Sequence, residues 1–215
     1  MTNLNRRDFI LGSAALAALA LFAVPAFAGT VDVTELNKPP ELGDMILGNP
    51  DSKVTVIEYA SASCPHCAAF YNDVFPQFKK EYIDTKKIRF IFREWPHNDP
   101  ALIAFMIARS VPKDAYFPLI DVLFKTQKTW FNANVVNGQF KADGLADIAK
   151  QVGISKDAFD ALMKNEDLAK KIIAIRDGGE KFGVTGIPTF FINGEMLDGE
   201  QKIEDLKAKI DPLLG

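Results

Sequence analysis

The sequence predicts an α/β fold interrupted by an all-helical block. Three observations carry this. A strand–helix–strand pattern opens the folded part of the chain, helical periodicity takes over between residues 99 and 177, and two strands and a helix close it. A chain of 215 residues is long enough for one domain carrying such an insertion.

The elements follow in order. Residues 1–28 read as an export signal: Arg6 and Arg7 lead an uncharged stretch from Ile10 to Val24, and Ala26-Phe27-Ala28 offers small residues for cleavage. The string from Asn5 to Leu11 is twin-arginine-like, and the general secretory route stays open. The apolar stretch is short for a membrane span, the other reading of such a segment. Residues 29–45, with Pro39, Pro40 and Gly43, read as an extended lead-in.

Residues 46–98 and 178–215 then form the α/β part. Val54 to Ala60 is β-branched and apolar, so it reads as a buried strand. From Cys64 to about Thr85, Ala68, Tyr71, Val74, Phe75, Phe78 and Tyr82 recur at helical spacing. Pro65 suits the first turn of that helix, and Pro76 predicts a kink. Ile88 to Phe92 reads as a strand parallel to the first, because a helix connects them. Asp99 before Pro100 is a helix-start signal for the inserted block, residues 99–177. Its apolar stripes read as core. Thr189 to Ile192, the turn Asn193-Gly194 and Glu195 to Leu197 read as an antiparallel hairpin, and Lys202 to Leu214 as a closing helix.

Composition narrows the function. At 48% hydrophobic and 25% charged, with net charge −3 and no basic run in the body of the chain, nucleic acid is not an expected partner. Chemistry concentrates at Cys64-Pro65-His66-Cys67, which holds both cysteines of the chain. Half a zinc site is one reading. It would need two more ligands, and His66 and His97 are the only histidines. Haem attachment would need a histidine where Ala68 stands. A disulfide between residues three apart closes too small a loop to staple a fold. The pair therefore reads as a redox-active disulfide that needs no metal or cofactor.

With these motifs in place, the chain resembles the thioredoxin superfamily, and its helical insertion resembles the DsbA-like branch of thiol:disulfide oxidoreductases. Cys64-Pro65-His66-Cys67, Phe90 to Pro96 and Gly183 to Gly194 carry the resemblance. It implies a thioredoxin fold with an inserted all-helical subdomain. It further implies a periplasmic monomer that oxidises cysteine pairs in unfolded or partly folded exported proteins by donating its Cys64–Cys67 disulfide. A quinone-linked inner-membrane partner would recharge it. It places Ile187, Pro188 and Pro65 at the substrate, with a cis Ile187–Pro188 bond facing Cys64. Ile187 departs from the threonine or valine common among relatives before this proline.

The catalytic candidates follow from position. Cys64 precedes a helix, where unpaired N–H groups and the macrodipole favour a thiolate, and His66 adds a second favourable term. Cys67 would be the deeper, resolving thiol. Glu58, in an otherwise apolar strand, would be desolvated and could exchange protons with Cys67. His97, Arg93 and Glu94 read as packing or structural residues. Two other readings stand beside the oxidase. One is a disulfide isomerase or reductase of the same fold, which would usually carry a dimerisation domain larger than residues 29–53. The other is a non-catalytic peptide-binding chaperone module, which would not need both cysteines at a helix start.

Overall fold

The computed structural model describes residues 31–136 and 139–215, so the expected export signal lies outside the described residues. Five strands form one mixed sheet: β1 (Met45–Gly48), β2 (Thr55–Ala60), β3 (Arg89–Glu94), β4 (Thr189–Ile192) and β5 (Glu195–Asp198). Their spatial order is β1-β3-β2-β4-β5, and only the β2–β3 pair is parallel. The β4–β5 turn puts Asn193 and Gly194 both at positive φ, the backbone that Asn-Gly supplies at low cost.

Every residue of β2 is buried, so the sheet is covered on both faces. Side chains alternate between faces. Val56 and Ala60 join Phe90, Phe92 and Phe190 in the larger core cluster, under the helix that carries the cysteines. Ile57 and Tyr59 join Ile91, Trp95 and Phe191 on the opposite face. There the helix Glu166–Lys181 closes in at Gly179, where an added Cβ would come within 2.8 Å of Tyr59 Cε1 and 2.9 Å of Trp95 Cζ3.

The lead-in is not simply extended. Asp32 accepts from the N–H groups of Thr34 and Glu35 and starts a helical turn, Val33–Leu36. Residue 45 already belongs to β1, an edge strand whose outer residues are half-buried and show no alternation to read. The cysteine helix runs through four consecutive segments, Pro65–Ala69, Phe70–Val74, Phe75–Phe78 and Lys79–Ile83. In place of a simple kink, wide turns form: Phe75 N–H bonds the Phe70 carbonyl, and Asp84 N–H that of Lys79, each five residues back. Pro76 has no N–H to offer a carbonyl four residues back, so the ladder rearranges around it.

The helices between β3 and β4 begin at Asp99–Ser110. Its cap is Asn98, one residue before the expected Asp99; the Asn98 side chain accepts from Ala101 N–H at 2.9 Å. Lys113–Lys125, Gln127–Trp130, Asp143–Gln151 and Lys156–Leu162 follow. The expected boundary at 177/178 falls inside the continuous helix Glu166–Lys181.

Candidate active site

The site forms where β2 ends. Cys64 is the N-cap of the cysteine helix in extended conformation, and Pro65 takes the first turn, where its missing N–H costs nothing. Gln127, buried on the helical block, donates through Nε2 to the carbonyls of Ala62 (2.8 Å) and Cys64 (2.9 Å). This clamps the loop from the far side. The Cys64 thiol lies 3.7 Å from the carbonyl oxygen of Ile187, whose bond to Pro188 is cis. Cys67 is fully buried one turn deeper, and its sulfur accepts from Ser61 N–H at 3.5 Å. The two thiols are unbridged in this structure.

Their acidities diverge. The Cys64 thiol is drawn down to about 6, first by a hydrogen bond from the Cys67 thiol, then against the opposing effect of burial by the N–H groups of Cys67 and His66 and by His66's charge. The leading cause is thus the second cysteine, ahead of the helix terminus and His66. Burial pushes Cys67 well above the ordinary thiol range, and its neighbours Cys64 and Glu58 add to this.

The remaining expected residues fall around this pair. Pro65 and His66 are exposed beside Cys64. His66 Nδ1 lies 3.3 Å from a Glu200 carboxylate oxygen. Pro188 is buried and Ile187 half-buried. Glu58 has no solvent exposure, and neither carboxyl oxygen has a hydrogen-bond partner. Burial holds its proton well above the usual carboxylate range, with Tyr71 acting in the opposite direction.

Sequence reasoning overlooked three contributors. Gln127 carries no local signal, because its partners are backbone atoms more than sixty residues away. His97 is not merely surface packing: its Nδ1 lies 2.8 Å from Ser61 Oγ, and Asn98 Nδ2 lies 3.0 Å from its Nε2. It thereby steadies the residue whose N–H reaches Cys67. Tyr71, read as one residue of an apolar stripe, lies four residues beyond Cys67 on the same helix face, a spacing visible in the sequence. Among the described residues, no three His, Cys, Asp or Glu side chains gather as metal ligands.

Comparison with known proteins fits this geometry. A thioredoxin family profile matches residues 41–212, most of the chain. The chain belongs to the thioredoxin family. A twin-arginine translocation signal is matched over residues 3–23. A protein named as a protein-disulfide oxidoreductase in Rickettsia bellii is 32% identical over 182 residues, covering 78% of this chain and 68% of that protein. A second from Rickettsia conorii, also 32% identical, is spanned over 60% of its length by 80% of this chain. The crystal structure of Wolbachia pipientis α-DsbA1 superposes with a TM-score of 0.76 at 29% identity, covering 86% of this chain and 96% of that one. The DsbA-like thioredoxin fold and the dithiol–disulfide oxidoreductase class expected from the sequence are those of these relatives.

Proposed function

We propose that this protein is a periplasmic oxidase that inserts disulfides into exported proteins. The observation that carries the reading is the asymmetry of the pair: a Cys64 sulfur with acidity near 6 at a helix start, against a fully buried Cys67 held protonated. Stabilising the Cys64 thiolate stabilises the dithiol form, so the disulfide form is readily reduced by clients.

The reaction runs in two exchanges. A client thiolate attacks Cys64 of the Cys64–Cys67 disulfide. The sulfur–sulfur bond breaks, and its electron pair goes to Cys67, which takes a proton from Glu58. A second client thiolate then attacks the client sulfur of the mixed disulfide, and Cys64 leaves as a thiolate. The client loses two electrons and the protein gains them. Before the first exchange, an extended client segment would lie along the Ile187 backbone, a recognition largely independent of side chains and suited to many clients. A quinone-linked inner-membrane oxidase would reverse the change, and signal cleavage after Ala28 would release the protein as a soluble monomer.

Equilibration of the pair against glutathione tests this reading. A potential in the oxidising range supports it. A strongly reducing potential overturns it in favour of a reductase, and full activity in Cys64→Ser overturns the mechanism.

A further inference from the structure

Glu58 and Tyr71 share one unusual property. Among the described residues, four buried side-chain polar atoms lack a hydrogen-bond partner, and three of them are Glu58 Oε1, Glu58 Oε2 and Tyr71 Oη. Leaving such groups unpaired opposes folding, so each orphan calls for a reason.

Packing does not supply one for the hydroxyl. The Tyr71 ring is stacked on Phe75 at 4.4 Å and on Phe124 at 4.2 Å, and meets Phe92 edge-on at 6.0 Å. A phenylalanine would make the same contacts. Phe92 is also the β3 residue in register with Glu58, so ring and carboxyl occupy one face of the sheet. Tyr71 follows Cys67 by four residues on that same side of the cysteine helix.

We propose that Tyr71 is a positioning residue for proton transfer: its hydroxyl donates to the Glu58 carboxylate formed when Glu58 protonates Cys67. The proton moves from the Glu58 carboxyl to the Cys67 sulfur as the Cys64–Cys67 bond breaks, and the negative charge left on Glu58 is met by the Tyr71 O–H. The other groups facing this cluster are engaged elsewhere. On the helix Lys113–Lys125, the Tyr116 hydroxyl donates to Glu94 at 2.6 Å, and Asp121 accepts from Lys125 at 2.6 Å. Cys67 is the proton acceptor itself. Burial, together with the charges of Glu58 and its neighbours, keeps the Tyr71 hydroxyl protonated, so it serves as a donor rather than a base.

This inference rests on Glu58 being the proton source, and the experiment separates the two. The rate at which a cysteine-pair peptide reduces the disulfide form is followed from acid to alkaline pH for the native protein, Tyr71→Phe, Glu58→Gln and the double variant. Tyr71→Phe is expected to slow the reaction about tenfold at neutral pH, the worth of one hydrogen bond to a charged group. It should also move the alkaline limb of the profile to higher pH, because Glu58 loses the donor that eases its ionisation. The double variant should match Glu58→Gln. If Glu58→Gln leaves the profile unchanged, Glu58 is not the proton source. If Glu58→Gln alters the profile while Tyr71→Phe superimposes on the native protein, or slows it without shifting the limb, the Tyr71 assignment is overturned.

Discussion

Glu58 and Glu94 stand on the same face of the parallel strand pair, two positions apart in register, and both have no solvent exposure. Their surroundings differ completely. Glu94 receives Arg109 Nη2 at 2.8 Å and the Tyr116 hydroxyl at 2.6 Å, and Arg109 also reaches the carbonyls of Leu42 and Gly43. Glu58 receives no hydrogen bond. A buried charge that is fully partnered is compatible with a structural role, whereas a carboxyl left unpartnered opposes folding and is kept for something other than stability. The first glutamate ties the sheet to the helical block. The second lies under the cysteines.

Breaking the partnered site should have the largest effect. Arg109→Leu leaves Glu94 without its cation and is expected to cost about 3–5 kcal/mol in urea unfolding. The folded fraction should exchange thiols at the native rate, because Arg109 touches neither sulfur. A native-like unfolding midpoint would show that Glu94 does not depend on its pairing.

The unpartnered site should respond in the opposite direction. Glu58→Leu removes a buried polar group and is expected to raise stability by about 1–3 kcal/mol at neutral pH while slowing thiol–disulfide exchange. The sign follows from linkage. Burial raises the folded-state pKa of Glu58 above that of the unfolded chain, so the folded state holds the proton to higher pH. Native stability should therefore fall as pH rises through the ordinary carboxylate range, near 4.3, and beyond. In Glu58→Leu this decline should be smaller. Unfolding curves across pH compare the two, and parallel stability profiles would refute the assignment.

How legible this was in the sequence depended on range. Cys64, Pro65 and the Thr189–Asp198 hairpin speak through neighbours in the chain: a proline at a helix start, an Asn-Gly turn, β-branched runs. Glu58 could be singled out because a charge stands in an apolar strand. Its contrast with Glu94 could not, since Arg109 and Tyr116 lie on other elements and only folding sets them around Glu94. Gln127 was silent for the same reason. The wide turns of the cysteine helix show the limit of local rules, because Pro76 announces a disturbance without saying which carbonyl partners shift.

Gln127 gives a smaller effect on the cysteine side of the comparison. Gln127→Leu leaves the buried Ala62 carbonyl without its donor and takes one of two donors from the Cys64 carbonyl, which keeps the Ala68 N–H at 3.1 Å, and is expected to cost about 1–2 kcal/mol. It should also slow exchange modestly, since the Cys64 loop loses its clamp. Loss of stability with native exchange kinetics would confine Gln127 to a structural role.

The smallest effect should come from His66. If the Cys67 thiol is the leading cause of the Cys64 acidity and His66's charge the last, replacing each must rank the same way. Cys67→Ala should raise the Cys64 titration midpoint from about 6 most of the way to an ordinary thiol near 8.5, whereas His66→Ala should raise it only slightly. Thiolate ultraviolet absorbance against pH measures both. The same asymmetry has a stability counterpart: a Cys64 thiol more acidic in the folded than in the unfolded chain makes the dithiol form gain stability as pH rises from about 6 toward the ordinary thiol range. His66→Ala should leave most of that gain in place and Cys67→Ala should remove most of it. The reverse order would make the imidazole, rather than the buried partner thiol, the group that sets the reactivity of Cys64.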